Sequence, residues 1–432
     1  MKPRPPLPPG PFLVVGLARS GVAAAALLRA RGEEVLAADT GTPPVLPPGV
    51  EVHAPSDGVH LLGRVRAVVK SPGVPAQAPV VAEARRRGMP VLGELELAWR
   101  CVPNEVIAVT GTNGKTTTVE LLGHLHREAG LPVVVVGNVG TAYASLAAEP
   151  PAPEAVVVCE ASSFQLEDAI EFAPEAAVLL NLGADHLDRH GTVAAYHAAK
   201  LRIFAGQGND DVAVAPERLG VEDLGGCARR VCFGDSPEAE LSLRAGTLWW
   251  AQEPLLRADE VRLRGPHNLR NAMAAAAAVL ARGMDPDAVR AGLRTFAGVP
   301  HRLEEVAEAG GILYVNDSKA TNVESTLVAL RSFTQPVHVI LGGQGKAQDF
   351  TPLRDAAPAA AYLIGEDAKL IAAAIGDAYP VVRCGDLEHA VAAARAAAAP
   401  GDVVLLSPAC ASFDQFRDFE HRGEEFARLA RT

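Results

Sequence analysis

The sequence predicts an α/β protein built on parallel sheets. Three observations carry that prediction. Short apolar runs of Val, Ala and Leu alternate with longer amphipathic segments, apolar residues make up 49% of the chain with only 5% aromatic, and polar or glycine-rich turns follow the apolar runs. Strands covered on both faces read as continuous apolar stretches, and helices alternating with them imply parallel pairing. At 432 residues the chain is long enough for more than one such block.

The first block opens with a strand from Phe12 to Val15, the turn Gly16-Leu17-Ala18-Arg19-Ser20-Gly21 and a helix to Arg31. A strand from Glu34 to Ala38 ends at Asp39, and one from Ala67 to Lys70 runs into Ser71-Pro72-Gly73 before a helix near Ala78 to Arg87. The second block has strands at Val106 to Val109, Val133 to Val136, Val156 to Cys159 and Ala177 to Leu180, with helices at Thr116 to His126 and through Ala272 to Arg282. Pro150 to Pro153 is a loop inside it. Residues 224 to 264 alternate less regularly and are expected to form a small accessory sheet. Gly298-Val299-Pro300 is the best linker. Beyond it come strands at Ile312 to Val315, Val337 to Leu341, Ala361 to Ile364 and Val403 to Leu406. No repeat of roughly twenty to fifty residues is present, which excludes a solenoid.

Charge narrows the function classes. Lys and Arg number 40 against 51 Asp and Glu, a net −11, so no global field favours nucleic acid or an anionic membrane. Anionic substrates must be held by local basic side chains and backbone amides. The six cysteines include no Cys-x-x-Cys pair, as expected of reduced thiols in a cytoplasmic protein. Met1 to Pro11 is proline-rich without an apolar stretch, so no signal peptide is expected, and the Ala/Val-rich run Ala272 to Ala281 is too short to span a bilayer.

The sharpest motif is Thr110-Gly111-Thr112-Asn113-Gly114-Lys115-Thr116-Thr117, between a strand and a helix. Two glycines permit a tight turn whose N–H groups converge on a helix N-terminus, an anion site. Lys115 then reaches a β/γ-phosphate and Thr116 holds Mg²⁺, so the motif predicts ATP binding. The loop is shorter than the common phosphate loop, because Val109 stands where that loop has its first glycine.

Other motifs sit at strand ends, where parallel sheets bind ligands. The Gly16 to Gly21 turn with Asp39 is like a dinucleotide fingerprint, but Ala18 replaces the glycine a pyrophosphate approaches. A nucleotide sugar or another substrate phosphate fits better than a nicotinamide, and a plain strand-to-helix turn is the bland alternative. Glu160 ends a strand beside the phosphate loop, placed as a Mg²⁺ ligand or water-orienting group, or as a helix cap. Asp185, His186, Asp188 and His190 crowd another strand end, which gives His186 a metal or phosphate role. Spacing alone makes Lys200 a solvated helix cation, and His267-Asn268-x-x-Asn271 a capping segment. In the last block, Asn316 to Asn322, Gly342-Gly343-Gln344-Gly345-Lys346 and Ser407 to Ser412 are three polar loops after strands.

Taken together, these segments resemble the Mur ligase family of ATP-dependent, amide-forming enzymes of peptidoglycan precursor synthesis. The phosphate loop with His267-Asn268-x-x-Asn271-Ala272 is specific to that superfamily, which includes folylpolyglutamate synthases. Asn316-Asp317-Ser318-Lys319-Ala320-Thr321-Asn322, Leu341-Gly342-Gly343-x-x-Lys346 and Ser407-Pro408-Ala409-x-Ala411-Ser412-Phe413-Asp414 resemble the branch that adds D-glutamate. The Asp-Asn-Pro-Arg-type segment of the sibling that adds the third residue is missing. The resemblance implies an α/β protein of three domains. These are a Rossmann-like N-terminal domain over 1–98 for the UDP-sugar substrate, a central P-loop ATPase-like domain over 99–299, and a Rossmann-like C-terminal domain over 300–432 for the amino acid.

It also implies roles for individual residues. Gly111, Thr112, Asn113, Gly114, Lys115, Thr116 and Thr117 would hold ATP, together with Asn271, Arg302 and Asp317. Thr116 and Glu160 would ligate one Mg²⁺ and His186 a second. Lys200 matches a lysine carbamylated by CO₂, which turns a cation into an oxygen ligand. Arg19, Ser20, Thr40, Ser71, Gly73, Asn138, Ser162 and Gln165 would bind UDP-N-acetylmuramoyl-L-alanine. Lys319, Thr321, Lys346, Ser412 and Phe419 would surround D-glutamate, with the two lysines near the chemistry. Gly41 stands where the family has Arg after the Asp-Thr pair, which puts the uracil contacts in doubt. A monomer acting on small molecules is implied, without nucleic acid or membrane. A folylpolyglutamate synthase and a P-loop ATPase without ligase activity are the competing readings.

Overall fold

The computed structural model describes every residue except Met1, Pro44, Val139, 220–223, Arg264, Lys346 and Ala347. Its backbone separates into two compact units, Met1–Val261 with His267–Phe296, and Arg262–Pro266 with Ala297–Thr432.

The first unit holds two sheets. Strands β1 (Phe12–Val15), β2 (Val35–Ala38), β3 (Val50–His53), β4 (Ala67–Lys70) and β5 (Val91–Gly93) form an all-parallel sheet in the order β3-β2-β1-β4-β5. β1, β2 and β4 are buried along their whole length, as their unbroken apolar sequences require. The order runs outward from β1 in both directions, so a switch point lies between β1 and β4, where Gly16 and Ser71 end their strands.

The larger sheet contains β6 (Val106–Thr110), β7 (Val133–Gly137), β8 (Val156–Glu160), β9 (Ala176–Leu179), β10 (Val212–Pro216), β11 (Arg229–Gly234), β12 (Leu241–Arg244), β13 (Thr247–Trp250) and β14 (Glu253–Arg257). Its order is β14-β13-β12-β11-β10-β9-β6-β8-β7. β6 lies between β8 and β9, so loops after all three strands converge at one edge. The expected separate accessory sheet over 224 to 264 is not formed. β12 pairs parallel with β11, and β13 and β14 follow as antiparallel strands, so this region extends the central sheet. The two sheets of this unit are joined through the helix Glu94–Cys101. Its fully buried Glu96 accepts the N–H groups of Ile170 and Phe172 at 3.0 Å each and pairs with Arg100 at 2.7 Å.

The second unit holds β15 (Glu304–Ala309), β16 (Ile312–Asn316), β17 (Val337–Gly342), β18 (Ala360–Ile364), β19 (Val381–Gly385) and β20 (Val403–Leu406), in the order β15-β16-β20-β17-β18-β19. All its pairs are parallel except the β15/β16 hairpin. The six cysteines are free. Among the described residues no helix is long and apolar enough to cross a membrane.

Candidate active site

The phosphate loop leaves the buried end of β6 and enters the helix Lys115–Glu128. Gly114, just before that helix, has φ +87°, a conformation that strains any residue with a Cβ. A Cβ there would also stand 2.3 Å from Asn271 Oδ1. Asn271, buried in the helix Pro266–Ala281, thus rests directly on the loop, and its amide donates to Asn268 Oδ1 at 3.2 Å. His267-Asn268-x-x-Asn271 is therefore more than a helix cap.

The loop is braced from β9. Asn181 accepts the Thr112 N–H on its carbonyl at 3.2 Å and the Asn113 N–H on its side chain at 2.9 Å, and its amide donates back to Asn113 O at 3.0 Å. The Tyr196 hydroxyl donates to Thr112 Oγ1 at 3.3 Å. Sequence reasoning gave neither residue a role, although Asn181 directly follows the expected strand Ala177 to Leu180.

Glu160, at the end of β8, is 2% exposed. One carboxylate oxygen accepts Thr116 Oγ1 at 2.8 Å and the other accepts Asn138 Nδ2 at 3.0 Å. Lys115 Nζ donates to the carbonyls of Gly111 and Thr112 at 2.9 Å each. Lys200 Nζ donates to the same Gly111 carbonyl at 2.8 Å and lies 4.6 Å from the Tyr196 ring centre. Lys200 is 1% exposed, which corrects the reading from spacing of a solvated cation. Burial, and then repulsion from Lys115, lowers its pKa from 10.5 to about 7.

His186 has φ +51° and opens the short helix Leu187–His190, its ring 4.7 Å from that of Phe164. Below it, Ser162 and Gln165 form a capping box: Ser162 Oγ accepts the Gln165 N–H at 3.3 Å and Gln165 Oε1 accepts the Ser162 N–H at 3.0 Å.

At the switch point of the first sheet lies a cavity of about 330 Å³ lined by Gly16, Ala18, Asp39, Thr40, Ser71, Gly73 and the apolar Val74 and Val80, among others. Asp39 shapes its mouth by accepting the N–H groups of Leu17 and Gly41. Arg19 reaches the Asn138 carbonyl at 2.8 Å, while Ser20 sits in the first turn of the helix Arg19–Ala30 without lining the cavity.

The second unit gathers its own polar cluster at the ends of β16 and β20. Asp317 accepts Ser407 Oγ at 2.8 Å and the Leu303 N–H at 3.3 Å, and burial raises its carboxyl to about 7. Arg302 lies close enough to offset part of that rise. Lys319 Nζ lies 5.0 Å from the Phe419 ring centre. Thr321 follows it with its N–H on the Lys319 carbonyl, and Ser412 is buried at the end of the β20 loop. Sequence reasoning missed Arg422, fully buried, which donates to Ser318 Oγ at 2.9 Å, Ser318 O at 2.8 Å and Cys410 O at 3.1 Å. It holds the Lys319 and Ser412 loops in register. Lys346 lies outside the described residues.

Three segments of the chain match domains of known proteins. Residues 11–93 match the Mur ligase MurD-like N-terminal domain, 109–279 the Mur ligase middle domain and 301–410 the Mur ligase glutamate ligase domain. The UDP-N-acetylmuramoylalanine–D-glutamate ligase of Pelotomaculum thermopropionicum is 42% identical over 441 residues, covering 96% of each chain. That of Anaeromyxobacter dehalogenans is 44% identical over 455 residues, again 96% of each. The chain belongs to the Mur ligase family. Two solved Mur ligases share its fold at 18% identity: the UDP-N-acetylmuramate-alanine ligase MurC of Thermotoga maritima (TM-score 0.60, 98% of this chain and 99% of that one), and the MurF ligase of the same organism in complex with ADP (TM-score 0.58, 98% and 95%). Each Mur ligase segment falls on one of the three sheets, and the middle one contains the phosphate loop, Glu160, His186, Lys200 and Asn271.

Proposed function

We propose that this Mur ligase joins D-glutamate to UDP-N-acetylmuramoyl-L-alanine with conversion of ATP to ADP and phosphate, a step of peptidoglycan precursor synthesis in the cytoplasm. One observation carries the reading: relatives covering 96% of the chain at 42% and 44% identity bear the name of that activity. We assign 1–98 to the UDP-sugar substrate, 99–299 to ATP and 300–432 to the amino acid, in a monomer.

The γ-phosphoryl group passes to the substrate carboxylate: a phosphorus–oxygen bond to the carboxylate forms, the β–γ bridge breaks and ADP leaves. The D-glutamate amine, neutral at attack, then adds to the acyl carbon, loses its proton to solvent and expels phosphate. Both partners of the first step are anions, so cations must offset their repulsion. The loop amides and Lys115 supply part of that charge, and Asn271 fixes the turn that aims them. Asn271, Arg302 and Asp317 complete the nucleotide contacts. Arg19, Ser20, Thr40, Ser71, Gly73, Asn138, Ser162 and Gln165 hold the UDP-sugar. Lys319, Thr321, Lys346, Ser412 and Phe419 surround D-glutamate, its carboxylates offset by the two lysines.

The donor chemistry fits Mg²⁺. Thr116 Oγ1 and the Glu160 carboxylate are hard oxygen donors 2.8 Å apart. Mg²⁺ takes few protein ligands and fills its octahedron with phosphate and water, which agrees with the lack, among the described residues, of any cluster of three His, Cys, Asp or Glu side chains. Thr116 and Glu160 would hold one ion, and His186 with a carbamylated Lys200 a second. Bound there, the ions neutralise charge on the transferring phosphoryl group. A lysine with pKa about 7 has the free amine that CO₂ requires.

The test is phosphate release from ATP and Mg²⁺ with UDP-N-acetylmuramoyl-L-alanine, comparing D-glutamate, L-glutamate, L-lysine and no amino acid. Release that needs both the nucleotide substrate and D-glutamate is expected. Release indifferent to both would leave an ATPase, and release with a pterin and L-glutamate would move the chain to the folylpolyglutamate branch.

A further inference from the structure

Arg189 stands three residues beyond His186 in the short helix Leu187–His190, yet most of its contacts are with the first sheet. Its guanidinium donates to the carbonyls of Pro72 at 3.2 Å, Gly73 at 3.4 Å and Val74 at 2.9 Å. These residues form the loop after β4, and Gly73 and Val74 line the 330 Å³ cavity. The same guanidinium closes on Glu167, which lies just beyond the Ser162–Gln165 capping box. Its side chain is 11% exposed.

The same loop is also held by Lys70, which shares the Val74 carbonyl with Arg189. This fully buried ammonium donates to Val74 O at 2.8 Å and pairs with Glu167 at 3.1 Å and Asp168 at 2.6 Å. Glu167 is therefore shared by two cations that both donate to the cavity loop. The connection continues to His186 through a stack. The Arg189 guanidinium carbon lies 5.0 Å from the Phe164 ring centre, and Phe164 lies 4.7 Å from the His186 ring. The Arg189 N–H also donates to the His186 carbonyl at 3.1 Å, inside a helix of one turn. The cavity loop and the His186 ring are thus linked through one guanidinium and one aromatic ring.

We infer that Arg189 is a positioning residue that latches the cavity loop Ser71–Val74 to the His186 segment, so that filling the cavity with the nucleotide substrate sets the His186 ring for reaction. The inference rests on the proposed reading of the cavity as the UDP-sugar site. A guanidinium suits the task because its planar fork serves several acceptors at once, which a single ammonium cannot do with the same geometry.

The test compares Arg189→Ala, Arg189→Lys and Glu167→Gln with Arg85→Ala, a rim variant whose side chain is 47% exposed and meets only Asp168 of this network. Calorimetric Kd for UDP-N-acetylmuramoyl-L-alanine without ATP, KM for each substrate, kcat and the melting temperature are measured. Arg189→Ala is expected to weaken nucleotide-substrate binding and raise its KM by roughly ten- to a hundred-fold, as loss of charge-assisted bonds does. It should lower kcat while leaving KM for ATP within about two-fold; Arg189→Lys recovers part, Glu167→Gln follows Arg189→Ala, and Arg85→Ala matches wild type. Unchanged Kd and kcat in Arg189→Ala or Arg189→Lys would overturn the latch, as would equal losses for both substrates together with a lower melting temperature. Wild-type enzyme that does not use D-glutamate would instead overturn the underlying reading.

Discussion

At the residue scale, Lys200 shows how position changes the chemistry of a side chain. In the helix Val193–Ala205 it shares its face with Tyr196, Ala199, Ile203 and Phe204, spaced at three and four residues. That stripe is readable in the sequence, and it points inward. Spacing read without the stripe gave a solvated cation, and only the resemblance gave Lys200 a role. Burial beside Lys115 brings its pKa to about 7. The sign follows. Between about 7 and 10.5 the unfolded chain keeps a proton that the folded one has shed, so this group adds stability as pH rises through that window. The free amine likewise predominates only above about 7. Enzyme stripped of CO₂ is expected to regain activity on adding bicarbonate at pH 8 and to regain little at pH 6. Lys200→Ala should lose on the order of a hundred-fold in kcat, the scale seen when one charge-stabilising group is removed, and recover in part with acetate or formate. Full activity of the unaided variant would remove the carbamate from the scheme.

At the element scale, the strand–turn–helix around the phosphate loop was legible because three levels agree: an apolar run, two glycines and a helix N-terminus. Parallel strands buried on both faces, such as β1, β6 and β8, were legible for the same reason, since that burial leaves a Val and Ala run. The half-exposed β3 and β19 have mixed sequences and were not read, and β10 was passed over although its Val212 to Ala215 run is buried. The three-stranded antiparallel meander Leu241–Arg257 was not legible. Its alternation reports a half-exposed strand but carries no information about which sheet edge it joins, and β12 joins β11 through only two paired positions. Asn181 and Arg422 escaped for a related reason: their partners are backbone groups of other loops and, for Arg422, the Ser318 hydroxyl as well, and no local pattern announces them. Gly114 tests the turn itself. Gly114→Ala puts a Cβ at φ +87° and 2.3 Å from Asn271 Oδ1. The expected cost is about 1–3 kcal/mol of stability from the backbone strain alone. KM for ATP should rise more than ten-fold, because the loop amides lose their aim, with KM for D-glutamate little changed. Thermal melting and steady-state kinetics read the two effects separately, and a variant with unaltered ATP kinetics would show that the turn tolerates a Cβ.

At the scale of the whole molecule, the two compact units divide the proposed recognition groups between them. The cavity at the first switch point, the capping box at Ser162 and the phosphate loop all belong to one unit; Asp317, Lys319, Thr321, Ser412 and Phe419 belong to the other. If the second group recognises only the amino acid and the nucleotide, its substitution must leave UDP-sugar binding intact. Thr321→Ala is the sharpest case. The residue sits after Lys319 in a loop ordered from behind by Arg422, so its hydroxyl can be removed without disturbing the buried bonds of Asp317 and Ser318. A lost hydrogen bond to a charged ligand corresponds to about 1.5–3 kcal/mol, so KM for D-glutamate should rise roughly ten- to a hundred-fold. The calorimetric Kd for UDP-N-acetylmuramoyl-L-alanine should stay within about two-fold of wild type. A matching loss in both would mean that the two units do not recognise their substrates separately, and that amino-acid and nucleotide-sugar binding are a single coupled event.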